Sequence, residues 1–413
     1  MMAAAAERYE VIIAGAGPAG LASALYLLAR RPDLAGRIVA FEKSRHPRPK
    51  TCAGGLIPKT IAALDELGIG LPIPSIVVTG GSARTELGSI DLPRGEVLCT
   101  IIRRDQFDSC LADAARRAGL RIIEDCRVLD VNFDRDGATN RVRTERGDFE
   151  APILIGADGS GSRIRRTLFP SADRSSSIGR AIMTDLPVNP EDSVEFREKI
   201  YRFDFGCVPG GVRGYSWSFP CLIDGRPHLN VGIYDQYASA VYGRESSRPS
   251  LIDNVRRAFP DLDLPSAPRF YKAFPINWYA GDRSFASAGV MLAGDAAGVD
   301  PLMGEGISYA FEHGRLAAIA ADKFLTGNPS SIAEYDRLLH EGAVGRKLRR
   351  LAYAARRFYG PHHRMYFRLA MLSRKAMSIG VDWYNGVRDT DEVPARRLIT
   401  RWAAAVLLGL SVR

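Results

Sequence analysis

The chain has 413 residues, 46% hydrophobic and 25% charged, a globular composition that excludes disordered, collagenous and low-complexity proteins and suits one large or two ordinary domains. The net charge of +9 is concentrated: residues 342–381 hold ten Lys or Arg and no Asp or Glu, so the remainder is nearly neutral. Six cysteines (52, 99, 110, 126, 207 and 221) show neither C-x-x-C nor C…H spacing, so no disulfide framework and no metal site is expected, and a reducing, cytoplasmic setting is the simpler one.

Residues 1–10 contain alanines but no basic n-region, so a signal peptide is not expected. Val11 to Ala14 is an apolar run that reads as a buried parallel strand. Gly15, Gly17 and Gly20 then give G-x-G-x-x-G, and a helical pattern follows with Leu21, Ala24, Leu25 and Leu28 on one face, stopped by Pro32. A second strand, Arg37 to Phe41, ends in Glu42. Each part has a physical task. Gly15 permits the tight turn, Gly17 lets the backbone approach a pyrophosphate, and Gly20 lets helix pack on strand. The helix N-terminus offers unpaired N–H groups and a positive dipole to phosphate. Glu42 stands roughly 20 residues on, where an acid accepts bonds from ribose hydroxyls and disfavours a 2′-phosphate. The glycines alone are a weak signal, but the whole strand–loop–helix–strand–acid unit is a strong one for FAD or NAD. Ala19 in the loop and Lys43 beside Glu42 are expected to join these contacts.

A basic, proline-rich loop leads to Cys52-Ala53-Gly54-Gly55, then a helix from about Pro58 to Leu67. Residues 76–91 suggest short antiparallel strands. Arg104 precedes a helix with Phe107, Leu111 and Ala115 on one face, and strands follow at 121–124 and 127–132. Pro152 to Gly159 is a second buried strand ending in Gly-Ala-Asp-Gly. The middle, about 177–274, is rich in aromatic and β-branched residues and reads as an antiparallel sheet of strands 200–205, 214–220, 228–234 and 269–274. Its one helical stretch is about 250–259. Val290 to Leu292 is a third apolar strand, ending in Gly294-Asp295. The glycine-rich loop after it, with Gly304, Gly306 and Ile307, opens a long helix to about Thr326. Helical patterns fill the remainder.

Three strand-end signals, at 15–20, 156–159 and 294–295, can serve one long dinucleotide beyond the carboxyl ends of a parallel sheet. This arrangement resembles the FAD-dependent oxidoreductases of the para-hydroxybenzoate hydroxylase type over nearly residues 8–325. The resemblance implies FAD rather than NAD as resident cofactor. It implies that Asp295 contacts the ribityl or pyrophosphate, and that Gly304, Gly306 and Ile307 face the flavin's pyrimidine end. Arg104 then approaches the pyrophosphate, and Val128 gives a backbone contact to adenine. Two further stretches, Cys52-Ala53-Gly54-Gly55 and Tyr215-Ser-Trp217-Ser-Phe219-Pro220, look like those of the geranylgeranyl reductase family, which saturates isolated C=C bonds in prenyl chains. The expected fold is α/β: a Rossmann-like FAD-binding domain (1–175 and 285–330), an inserted antiparallel β-sheet substrate domain (176–284) and a basic C-terminal helical region (331–413).

On this resemblance Cys52 is the candidate proton donor or flavin-positioning residue, with Ala53 and Gly55 beside the cofactor. Tyr215, Trp217 and Phe219 alternate and so share one strand face, as an apolar wall for a polyprenyl chain or simply as aromatic core. Asp158 is expected to organise its own turn near Arg163, and the six His residues show no ligand spacing. The reductant is expected to be external, NADPH or reduced ferredoxin. The alternatives are an FAD monooxygenase acting on an aromatic or polyketide-like substrate and a flavin halogenase, whose family strand reads Trp-x-Trp-x-Ile-Pro. In the tail, Leu348, Leu351, Ala355 and Phe358 form an apolar stripe opposite arginines. It suits docking on the protein's own body or peripheral contact with an anionic membrane surface. The nine apolar residues from Trp402 to Leu410 are too few to span a bilayer, and no recognition module for nucleic acid accompanies the basic residues.

Overall fold

Strands buried on both faces must be apolar throughout, and the three continuous apolar runs of the sequence become neighbours at the centre of one sheet. In the computed structural model, which describes residues 6–92, 95–133, 139–169, 177–236, 249–371 and 374–387, this sheet has six strands. Their order is Ala286–Ser287, Val290–Leu292, Ile153–Gly156, Val11–Ala14, Ile38–Phe41 and Arg121–Ile123. All pairs are parallel except the first. Gly156 pairs in register with both Ala14 and Leu292, and Ala14 with Phe41. The carboxyl ends that precede the three glycine-containing loops are therefore side by side.

Gly15 has φ +102°, and a Cβ there would lie 2.3 Å from the Ala157 carbonyl oxygen, so the turn and its neighbour leave room only for glycine. A Cβ on Gly20 would lie 2.0 Å from the Gly15 oxygen, which is how helix Pro18–Arg30 sits down on the loop. Helix Ile307–Leu325 packs alongside it. A four-stranded sheet (Glu7–Arg8, Gly147–Ala151, Asn140–Thr144 and Val128–Phe133) flanks the core.

The second large sheet has seven strands in the order Lys272–Asn277, Ile178–Pro187, Arg226–Asp235, Gly214–Ile223, Ile200–Asp204, Gly80–Thr85 and Gly88–Leu92. Three expectations are corrected here. First, Gly80–Thr85 pairs with Ile200–Asp204 and Gly88–Leu92 pairs with Gly80–Thr85, so the sheet crosses the division expected at 175/176. Second, Ile178–Pro187 is a strand paired on both edges, although its sequence, with Gly179, Arg180 and Asp185, lacks clean alternation. At the other edge, Pro268–Phe270 is a 3₁₀ turn and the strand begins only at Lys272. A further three-stranded sheet joins Gly55–Leu56, Cys99–Ile102 and Ser75–Val78.

The C-terminal helices are Ser331–Glu341, Ala343–Phe358, His363–Met371 and Arg374–Tyr384. The apolar stripe docks inward: Leu348, Leu351 and Ala355 are fully buried. Leu348 and Leu351 join the core around the parallel sheet, whereas Ala355, Tyr359 and Phe367 join the core of the seven-stranded sheet. Burial of each Leu side chain contributes roughly 1.5–3 kcal/mol, so this region is held to both layers. The run 402–410 lies outside the described residues. No helix among the described residues is long and apolar enough to cross a membrane.

Candidate active site

A cavity of about 1030 Å3 runs from the G-x-G-x-x-G loop into the space between the two large sheets. Its first half is polar and built from loops after parallel strands. Gly15 N–H donates to Phe41 O (2.8 Å), Ala157 N–H to Ala14 O (2.8 Å) and Ala293 N–H to Gly156 O (2.9 Å), which ties the three loops together. Gly15, Gly17, Ala19, Glu42, Lys43, Val128 and Asp295 all line this half, whereas Gly20 lies beneath it in the helix. Glu42 is buried and already engaged, accepting from Ala16 N–H (3.2 Å) and Ser44 N–H (3.2 Å) and facing Arg48 at 3.4 Å. Asp295 accepts from the Ser160 hydroxyl (2.7 Å). Asp158 caps the short helix Arg163–Leu168 by accepting from the N–H groups of Arg163 (2.7 Å) and Ile164 (3.3 Å), an organising role within its own turn.

The loop from Arg48 to Gly55 forms the middle of the cavity. Arg104 presents a bidentate fork to Asp108 (2.8 and 3.0 Å), and its guanidinium is within electrostatic reach of the Cys52 sulfur. Gly54 N–H approaches Cys52 Sγ at 3.4 Å. A Cβ on Gly54 would lie 1.9 Å from Ile102 O, and one on Gly55 would lie 2.9 Å from Cys99 Sγ. The close approach these glycines permit is therefore to the Cys99–Ile102 strand, and it fixes where Cys52 and Ala53 project. Lys50 Nζ stands 3.2 Å from the centroid of the Phe274 ring. Burial pushes its pKa down to about 8, while the nearby Asp295 carboxylate resists that shift.

The far half is apolar. Tyr215, Trp217 and Phe219 share one face of the central strand and all three line the cavity. Neighbouring strands add Tyr201, Phe203 and Tyr234. Phe219 stacks on Tyr201 with ring centroids 5.4 Å apart, and Phe203 meets Tyr215 edge-on at 5.2 Å, geometries that suit ring quadrupoles. Trp217 Nε1–H donates to Asn230 Oδ1 (2.8 Å), and Tyr215 donates to Met303 O. The polar tips of Tyr215 and Trp217 are thus satisfied while their ring bodies form the wall. Gly304, Gly306 and Ile307 line the cavity at the junction of the halves, at the N-terminus of helix Ile307–Leu325. Beside them, burial raises the Glu305 carboxyl pKa, and that side chain accepts from Ser308 N–H (2.8 Å) and from the Ser308 hydroxyl.

Sequence reasoning missed three supporting groups. Lys50 carried no motif. His46, its ring nearly inaccessible, links Glu124 (Nδ1, 2.7 Å) to the Ala16 carbonyl (Nε2, 3.1 Å) beneath the first glycine loop. His313 Nδ1 accepts from Gly294 N–H (3.1 Å), which requires an unprotonated nitrogen, and burial lowers its pKa to about 3. The only available signal for His313 was a polar residue on an otherwise apolar helix face. The C-terminal contribution to the cavity comes from Phe358, on the expected apolar stripe, and from Met377, Val381, Trp383 and Tyr384, which carried no sequence signal.

Residues 8–338 match the FAD binding domain family. The menaquinone reductase of Mycolicibacterium smegmatis is 29% identical over 322 residues, covering 75% of this chain and 76% of that protein. The digeranylgeranylglycerophospholipid reductase of Methanothrix thermoacetophila is 27% identical over 371 residues, covering 83% and 85%. A crystal structure of a geranylgeranyl bacteriochlorophyll reductase-like protein from Thermoplasma acidophilum superposes with TM-score 0.69 at 22% identity over 98% of this chain and 99% of that one. At that identity the superposition speaks for the fold. The chain belongs to the FAD binding domain family and is an FAD-dependent oxidoreductase with geranylgeranyl reductase-like relatives.

Proposed function

We propose that the chain is an FAD-dependent reductase that saturates isolated C=C bonds of a polyprenyl, geranylgeranyl-type lipid. One observation carries this reading: the polar nucleotide groove continues into a wall, contributed by residues 181–234 and 354–385, in which no lining side chain among the described residues is charged. Such a wall suits a long hydrocarbon, and the prenyl-lipid reductases among the relatives support it. A substrate recognised through a carboxylate or phosphate at its reacting end would require a partner there.

The groove fits FAD through its open glycine loop, its buried Glu42 and the helix N-terminus at Ile307. Bound FAD, reduced by an outside donor such as NADPH or reduced ferredoxin, supplies the hydride. In this reading Gly15, Gly17, Ala19, Glu42, Lys43 and Val128 hold the adenosine side, and Arg104 and Asp295 the pyrophosphate and ribityl. Ala53, Gly55, Gly304, Gly306 and Ile307 bound the flavin. Cys52 gives the proton to the second alkene carbon, so the lipid gains hydride plus proton, two hydrogens per bond. The negative charge left on sulfur is met by Arg104 and by Gly54 N–H, and the thiolate regains its proton from solvent. An unconjugated alkene has no carbonyl to polarise, so positioning in a dry tunnel supplies much of the acceleration. The basic outer face of the docked C-terminal helices, with Arg349, Arg356, Arg364 and Arg368 beside exposed Tyr353 and Met365, suits contact with an anionic membrane that carries such a lipid.

The test is anaerobic. Dithionite-reduced holoenzyme is mixed with geranylgeranyl diphosphate, flavin reoxidation is followed, and the lipid is weighed by mass spectrometry. Reoxidation with a gain of two hydrogens per alkene is expected. Flavin that stays reduced with this and other prenyl lipids until oxygen is admitted would overturn the reading in favour of a monooxygenase.

A further inference from the structure

The loop after Asp295 is closed on itself by one carboxylate. Asp300 is fully buried; it accepts from Leu302 N–H (2.6 Å) and Met303 N–H (3.0 Å), and its own carbonyl accepts from Gly304 N–H (3.1 Å). Three tyrosines from three distant elements converge on the same short loop. Tyr215 of the central sheet donates to Met303 O, Tyr359, just beyond helix Ala343–Phe358, donates to Leu302 O (2.6 Å), and Tyr384 of the C-terminal helix donates to Asp300 Oδ2 (2.8 Å). The first two bond carbonyls. Only Tyr384 bonds the carboxylate that shapes the loop, and a phenol donating to a carboxylate makes a charge-assisted bond.

Tyr384 is itself held in place. Lys347, 5% exposed, donates to the carbonyls of Trp383 (2.8 Å) and Tyr384 (3.1 Å), so a buried cation sits at the negative end of helix Arg374–Tyr384. Asn385 is fastened on both sides, donating to Leu98 O (3.3 Å) and accepting from Lys59 N–H (3.2 Å). Trp383, Tyr384 and Asn385 also line the cavity. The last described helix is thus both tunnel wall and brace.

We propose that Tyr384 is a positioning residue for the cofactor: through Asp300 it sets the loop whose continuation, Gly304 to Ile307, receives the flavin, so the C-terminal region is a working part of the site. This rests on the reading that Gly304, Gly306 and Ile307 face bound FAD. The bond is local to the loop, whereas the fold of the C-terminal region depends on Leu348, Leu351 and Ala355. The effect should therefore fall on cofactor affinity more than on stability.

The experiment is FAD titration of the full-length apoprotein, followed by quenching of flavin fluorescence. Tyr384→Phe keeps the ring and removes one hydroxyl. It is expected to raise the dissociation constant about tenfold, equivalent to about 1.4 kcal/mol, with little change in melting temperature. In an Asp300→Asn background the same replacement is expected to add less than about threefold, because both changes act on one bond. An unchanged dissociation constant in Tyr384→Phe, or full additivity with Asp300→Asn, would overturn the proposal and leave the wider site reading intact. A wild-type protein that fails to bind FAD would overturn both.

Discussion

The two halves of the cavity are made by opposite means. The nucleotide half is built from adjacent strand ends and uses mostly backbone: Ala14, Gly156 and Leu292 lie in register, and glycine loops follow them. The tunnel half is built from side chains gathered from residues as distant as Ala83, Met183, Trp217 and Val381. Phosphates need N–H groups and a dipole, which a short turn supplies locally. A hydrocarbon needs only excluded water and shape, which any set of apolar side chains supplies once the fold has brought them together. The first half should therefore fail from a single misplaced backbone, and the second should degrade by degrees.

Gly15→Val is the most direct way to break the first half. Positive φ and the 2.3 Å approach to Ala157 O forbid the side chain, so FAD retention after desalting, read at the flavin absorbance band, should drop below detection. Retention of wild-type FAD content would mean that the loop is not where the dinucleotide sits. At the junction, Cys52→Ser should keep FAD but lower turnover of a prenyl lipid about a hundredfold, the scale of a lost general acid. Wild-type turnover would remove Cys52 from the chemistry.

In the second half, Leu351→Ala should reduce stability by about 2–5 kcal/mol in urea unfolding, because Leu351 is fully buried where the C-terminal region meets the parallel-sheet core. A change below about 0.5 kcal/mol, the scale of surface substitutions, would show that this helix is not docked. Gly380 lines the cavity, and a Cβ there meets nothing within 4 Å. Gly380→Leu should leave folding intact, since leucine favours helix over glycine by about 1 kcal/mol. It should lower kcat/KM several-fold for long prenyl chains and less for short ones, and an equal effect on both would place the end of the tunnel elsewhere.

The smallest effect concerns Lys50. Its pKa is about 8 in the folded state, against about 10.4 for an unperturbed lysine. Between these values the unfolded chain keeps a proton at this position that the folded chain loses, so Lys50 adds a part of the stability that rises with pH, against the falling part from buried thiols such as Cys221, whose pKa burial pushes up to about 12. Lys50→Met should make the pH slope of stability more negative, as measured by urea unfolding at the two ends of the window. A slope equal to wild type would mean that Lys50 is not buried over Phe274.

The parallel sheet, its three loops and the cofactor class were legible because each depends on local sequence. An apolar run long enough to be buried on both faces, a glycine where φ is positive, and an acid at the end of the second strand are short-range requirements. The motif Tyr215-Ser-Trp217-Ser-Phe219 was legible as one face of a strand for the same reason, since alternation is a property of the strand itself. The tertiary structure alone decided the rest. Ile178–Pro187 has no distinctive pattern and becomes a strand because partners wait on both its edges. Residues 80–92 join a sheet whose other strands lie about a hundred residues and more away. Lys50, His46 and His313 matter through the burial and partners the fold gives them. Tyr384, which no sequence pattern singled out, acquires its role only when the chain's last described helix is brought to Asp300. Local patterns record what a segment must do by itself; a contact between residues 84 positions apart is recorded in neither segment.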